Sequence, residues 1–137
     1  MMNLDGTLAK SLTGPDQLAG GGRLSPDGKR ILYTTFTLAK KEPPAPVKRV
    51  LTVLDIDSGK SLPVADVPLN AEIIGYCWSP DGKKIAYTWR SIPEGKAEDS
   101  SEAILIVCDP DGKNQKTIAS DTATGPWRNH VGHVDWR

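Results

Sequence analysis

Two stretches of the chain are apolar on successive residues: Val50-Leu51-Thr52-Val53-Leu54 and Ile104-Leu105-Ile106-Val107-Cys108. Strand side chains point alternately to the two faces of a sheet, so a strand that is apolar at every position must be covered on both. A sheet stacked between two others meets that requirement. Around these runs lie shorter segments rich in β-branched and aromatic residues, bounded by Asp, Asn, Gly and Pro, which is the pattern of strands joined by tight turns. Helical periodicity is nearly absent, and the stretch from Pro15 to Gly20 is too short to be more than a turn. The pattern predicts an all-β fold.

One strand-forming segment occurs twice. Leu24-Ser25-Pro26-Asp27-Gly28-Lys29-Arg30-Ile31-Leu32-Tyr33-Thr34 returns as Trp78-Ser79-Pro80-Asp81-Gly82-Lys83-Lys84-Ile85-Ala86-Tyr87-Thr88. Of the ten pairs from Ser25/Ser79 to Thr34/Thr88, eight are identical, and the others are Arg30/Lys84 and Leu32/Ala86. In Ser-Pro-Asp-Gly, proline pre-sets the dihedral of the second turn position, aspartate suits the third, and glycine takes the left-handed conformation that leads into the next strand. Each copy reads as a turn feeding a strand.

A second hairpin type recurs three times, around Asp5-Gly6, Asp55-Ile56-Asp57-Ser58-Gly59 and Asp109-Pro110-Asp111-Gly112. In each, an apolar strand enters an Asx-rich turn containing glycine and a more polar strand leaves it. The two hairpin types alternate, which defines a four-stranded unit. Pro26 and Pro80 stand 54 positions apart, above the roughly 40–45 residues usual for four-stranded propeller repeats. The surplus lies between the second and third strands, at Ala39 to Lys48 with Pro43, Pro44 and Pro46, and at the polar, acidic Ser91 to Ser101. Both inserts interrupt equivalent positions and are expected on one face of the assembly.

Composition narrows the function classes. The 137 residues are 38% hydrophobic and 25% charged, ordinary for a globular chain. Lys plus Arg equals Asp plus Glu, 17 against 17, so no excess positive field exists to hold nucleic acid or an anionic membrane, and a nucleic-acid partner is not expected. No apolar run approaches the roughly 20 residues that span a bilayer, and no signal-peptide layout opens the chain, so membrane insertion is not expected either. Cys77 and Cys108 fall inside strands and read as small buried hydrophobes.

Taken together, these residues resemble the bacterial WD-repeat-like β-propellers of the TolB type. The repeat of that family reads Trp-Ser-Pro-Asp-Gly-Lys-Lys-Ile-Ala and is followed later by an Asp-Gly hairpin. Trp78 to Ala86 matches it at every position, while the upstream copy departs at Leu24, Arg30 and Leu32. The matching segments cover most of the chain outside the two inserts. The resemblance implies antiparallel four-stranded blades of an incomplete β-propeller. It also implies a non-catalytic scaffold for protein or peptide partners, in a periplasmic or extracytoplasmic setting. Similar repeats form the substrate-gating propeller of prolyl-oligopeptidase-like serine peptidases, which is the alternative reading.

The expected organisation is the end of one blade at 1–14, a second blade at 19–65, a third at 71–121 and the first strand of a further blade at 131–137. Trp136 there takes the place of Trp78. Rings of this kind close with about four to eight blades, so a piece of a longer protein, or a chain that completes its ring by self-association, is expected. The signature residues with structural roles are Ser25, Pro26, Asp27, Gly28, Trp78, Ser79, Pro80, Asp81, Gly82, Asp111, Gly112 and Trp136.

Motifs with chemical meaning are scarce. Gly59-Lys60-Ser61 lacks the glycine five positions earlier that a phosphate loop needs, because Leu54 stands there. No Gly-x-Ser-x-Gly elbow occurs, so no catalytic residue is assigned. The Asp55 and Asp109 turns resemble calcium loops but lack the third acidic ligand and the distant glutamate. His130 and His133 sit three apart, which puts them on opposite faces of a strand, and neither a metal nor a cofactor is expected. Trp127, Arg128 and His130, with Asn129, combine side-chain types enriched at interaction surfaces and form the candidate contact patch.

Overall fold

The computed structural model describes residues 13, 18–38, 47–69, 71–91, 100–124 and 134–136. They form eight strands: β1 (Leu18–Leu24), β2 (Arg30–Leu38), β3 (Val47–Asp55), β4 (Ser61–Asp66), β5 (Ala71–Trp78), β6 (Ile85–Ser91), β7 (Ser100–Cys108) and β8 (Lys116–Thr124). Every pairing is antiparallel and sequential. The result is two four-stranded sheets, β1-β2-β3-β4 (sheet 1) and β5-β6-β7-β8 (sheet 2). The protein is all-β, and these sheets are blades of an incomplete β-propeller.

The two Ser-Pro-Asp-Gly copies build the same turn. In the first, the Ser25 amide donates to Arg30 O at 2.8 Å and the Gly28 amide to Ser25 O at 2.9 Å. The Ser25 hydroxyl donates to Asp27 Oδ1 at 2.5 Å and accepts from the Arg30 amide at 2.9 Å. Ser79 repeats this with Asp81 at 2.6 Å and the Lys84 amide at 2.9 Å. Each serine is 3% exposed, so a buried hydroxyl joins an exposed carboxylate to the amide of Arg30 or Lys84 at the start of the next strand. Gly28 and Gly82 take φ of 72° and 67°.

This turn has a pH signature. The serine hydroxyl, and after it the amide of Lys29 or Lys83, holds the Asp27 and Asp81 carboxyls below their usual 3.8. A carboxyl that is more acidic folded than unfolded contributes stability above the unfolded pKa, and this is lost as pH falls through the folded value. Stability is therefore expected to drop as pH is lowered from about 4. Thermal melts of an Asp27→Asn, Asp81→Asn double variant should show a lower melting temperature at neutral pH and a shallower acid limb. An acid limb as steep as the wild type's would refute this role.

Alternation along the strands gives each sheet an apolar face, and these faces meet in one core. Leu32 lies opposite Val53, and Leu51 opposite Ala65. Trp78 lies opposite Ile85, which in turn lies opposite Cys108. With Val64 and Tyr87 they make a single buried cluster, against which Ile73, Tyr76, Trp89 and Ile106 pack. Trp89 thus contributes to packing between the sheets.

Three features differ from the sequence-based expectation. Leu18 to Gly20, expected within a turn, belong to β1, because Leu18, Ala19 and Gly20 pair with Phe36, Thr35 and Thr34. Cross-strand hydrogen bonding there overrides the turn preference of the glycines. Among the β7 residues from 102 to 108 only Ala103 and Cys108 are buried, whereas β3 is buried from Leu51 to Leu54. Sheet 2 packs on sheet 1 through one face, and among the described residues only Val134 to Trp136 line a groove against the other. Cys77 is half-buried, unlike the fully buried Cys108.

Candidate functional site

Among the described residues β1 pairs only with β2, and β5 only with β6, so each of these strands has an edge outside its described sheet. Between them, near Val134 and Asp135, runs a groove of about 640 Å³. Its walls carry Gly21, Arg23, Leu24 and Pro26 from the first repeat and Ile74 to Pro80 from the second. Pro26 and Pro80 place the two Ser-Pro-Asp-Gly turns at one end of it.

On the β5 side of the groove three side chains bind the sheets together. Trp78 Nε1 donates to Arg23 O at 3.0 Å. Tyr76 Oη lies 2.6 Å from Gly21 O and 3.1 Å from Gly20 O, and donates to these carbonyls. Both acceptors belong to the irregular stretch of β1 where its register with β2 shifts, between Gly20 and Arg23. A side chain at position 21 would put its Cβ 2.1 Å from Tyr76 Oη. The glycine therefore allows the tyrosine to reach the backbone.

Arg30 supplies the third contact. Its guanidinium stacks 4.8 Å from the centre of the Trp78 ring and donates to Gly82 O at 3.0 Å. Its repeat counterpart Lys84 instead pairs with Asp109 of its own sheet at 2.6 Å. Farther out, the Gly112 turn of sheet 2 lies against the Val64 backbone of sheet 1.

The electrostatics of the groove are mixed. Arg23 and Asp135 bring opposite charges, and both act on the Cys77 thiol. Burial chiefly pushes that thiol up, Asp135 adds to the rise, and Arg23 opposes it. The Cys108 thiol, inside the core, is pushed up by burial to about 11. Both thiols therefore remain protonated at neutral pH, which suits packing rather than nucleophilic attack. Among the described residues no three His, Cys, Asp or Glu side chains form a group able to hold a metal ion.

Of the signature residues, Pro26, Trp78, Ser79 and Pro80 line this groove. Ser25, Asp27, Gly28, Asp81 and Gly82 form the turns beside it. Asp111 and Gly112 lie in the outer turn, where Asp111 pairs with Lys113 at 2.9 Å. Trp136, an exposed residue, lines a shallow groove with Ala86, Leu105, Val107, Val134 and Asp135. The candidate patch of Trp127, Arg128 and His130 lies outside the described residues. Sequence reasoning missed the groove itself, along with Gly21, Tyr76 and the stacking role of Arg30. Two signals point to them: the Gly20-Gly21-Gly22 run just before a repeat, and the one charged pair, Arg30/Lys84, that differs within it.

No family model matches the chain, and no curated protein matches it in sequence. Among solved structures it is similar to TolB from Acinetobacter baumannii, with a TM-score of 0.57 at 16% sequence identity. The match covers 86% of this chain and 25% of that one, so the chain spans about a quarter of the length of that TolB. At this identity the likeness establishes the fold.

Proposed function

We propose that this chain is a propeller segment that works by binding a protein or peptide partner, and that the groove between β1 and β5 is the contact surface. The observation that carries this reading is the groove: about 640 Å³, lined by β1 and β5, with apolar and charged walls. The Gly20, Gly21 and Arg23 carbonyls of β1 are taken by Tyr76 and Trp78, so the β5 edge is the one that offers backbone donors and acceptors to an extended chain, while Leu24, Ile74 and Cys77 offer apolar contact and Arg23 and Asp135 set polarity. Trp78 and Tyr76 hold this surface in shape before anything binds, which lowers the ordering cost of association. The similarity to TolB supports a propeller module as the carrier of such a surface.

The test is selection of peptides from a displayed random library on the whole chain, followed by titration against variants. Arg23→Glu and Cys77→Arg, which change the groove wall, should weaken selected peptides about 10-fold or more. That corresponds to loss of about 1.4 kcal/mol. Ile118→Asp, on the outer strand β8 and 52% exposed, should leave binding unchanged. Selected peptides that bind the groove variants as tightly as the wild type would sink this assignment.

A further inference from the structure

Three turns carry the same tetrapeptide, Pro-Asp-Gly-Lys, at 26–29, 80–83 and 110–113. An aspartate followed by glycine is chemically labile, because no side chain shields the glycine nitrogen from the carboxyl carbon beside it. In the reaction that nitrogen attacks Asp Cγ: an N–C bond forms, a C–O bond breaks, and the carboxyl OH leaves with the amide hydrogen as water. Water then opens the five-membered imide at the former backbone carbonyl. The chain now runs through the aspartate side chain, one carbon longer and with no net change of atoms. Because the tetrapeptide is identical in all three turns, only the surroundings can make one react before the others.

The backbone does not distinguish them. In each turn the glycine amide donates to the carbonyl three residues back at 2.9 Å, and Asp Oδ1 accepts from the lysine amide at 3.1, 3.0 and 3.1 Å. The difference is the residue before proline. Ser25 and Ser79, each 3% exposed, donate from their hydroxyls to the Asp27 and Asp81 carboxylates at 2.5 and 2.6 Å. In the third turn Asp109 stands there, and its carboxylate is engaged by Lys84 and Asn114. Asp111 keeps only the Lys113 side chain, at 2.9 Å and 78% exposed, and so exposed an ion pair holds weakly.

We propose that Asp111-Gly112 is a site of slow isoaspartate formation in the folded protein, and that the hydroxyls of Ser25 and Ser79 protect the other two turns. Attack needs the protonated carboxyl turned toward the nitrogen, and a hydroxyl that binds the carboxylate opposes both. Lys113 acts on Asp111 in the same sense, but the Asp109 charge works against it. Exposure does not set the order, since the Asp27 and Asp111 side chains are 48% and 42% exposed. Backbone room would put Asp27 first, because a Cβ at Gly28 meets nothing within 4 Å. The two effects therefore predict opposite orders. Conversion at Asp111 has a structural result: the added carbon enters the turn that lies against the Val64 backbone, so it pushes that turn off β4.

Incubation of the whole chain in mildly acidic buffer, with tryptic digestion at intervals, is the test. The three sites fall on separate peptides, 24–29, 61–83 and 97–113. The isoaspartyl form, equal in mass and separated by chromatography, should build up about 10-fold faster at 97–113, the factor for about 1.4 kcal/mol of barrier. In denaturant the three rates should converge. Asp109→Ser gives the third turn the serine of the others and should bring its rate down to theirs. Ser25→Ala should raise the rate at 24–29 and leave 61–83 unchanged, which separates loss of the hydroxyl from loosening of the whole fold. Equal rates in the folded chain, a faster rate at 24–29, or no conversion at 97–113 overturns the proposal. So does a rate difference that persists in denaturant, or a serine exchange without effect.

Discussion

Trp78→Ala is expected to lower the unfolding free energy by about 3–5 kcal/mol, the range for emptying a buried aromatic site. In a chain of this length that corresponds to a melting temperature lower by roughly 10–20 °C. Three losses coincide. The ring leaves a cavity in the buried cluster between the sheets that also holds Leu32, Leu51 and Val53. Arg23 O loses the indole donor at 3.0 Å. The Arg30 guanidinium loses the ring it stacks on at 4.8 Å. Trp78→Phe separates these effects: it keeps an apolar ring and removes the N–H, so it should cost about 1 kcal/mol for the hydrogen bond plus a smaller packing loss. Denaturant titration of both variants is the measurement. A Trp78→Ala cost below about 1 kcal/mol, typical of a surface site, would mean that this tryptophan does not join the sheets.

Gly112→Ala is expected to cost more than Gly28→Ala although both glycines have similar backbones, with φ of 78° and 72°. An L-residue in that left-handed region costs about 1–2 kcal/mol, and this term is common to both. The surroundings differ. A Cβ at Gly28 has nothing within 4 Å, whereas at Gly112 it would stand 2.6 Å from Val64 O and 3.2 Å from Val64 Cα. Those are backbone atoms of the neighbouring sheet and cannot rotate aside. Relieving the clash means parting the Gly112 turn from β4, at a further cost of about 1–3 kcal/mol typical of overpacking. Thermal and denaturant unfolding of the two variants side by side should show this gap. Equal costs would mean that the Gly112 turn does not lie against β4.

Much of the architecture was legible in the sequence because it depends on residues a few positions apart. Ser25-Pro26-Asp27-Gly28 and Ser79-Pro80-Asp81-Gly82 close their turns with their own side chains, so each copy announces a hairpin wherever it lies. The unbroken apolar run in β3 likewise predicts cover on both faces, and Leu51 to Leu54 are buried. The Asp55 turn also folds locally, with Asp55 Oδ1 accepting from the Ser58 amide at 2.8 Å and the Ser58 hydroxyl at 2.6 Å.

What the sequence by itself determined is thus the repeated four-stranded unit and its stacking, since turn chemistry and two-residue alternation act at short range. Only the tertiary structure decided how the units meet. Arg30 and Lys84 occupy the same place in the repeat, yet one stacks on the next sheet's Trp78 and the other pairs with Asp109 of its own sheet. Gly112 carries a turn signature like that of Gly28, but it alone lies against another sheet's backbone. The β1–β5 groove joins residues about 50 positions apart, as the Trp78–Arg23 contact shows across 55. Such juxtapositions follow from the angle and spacing between packed sheets, which no window of neighbouring residues encodes.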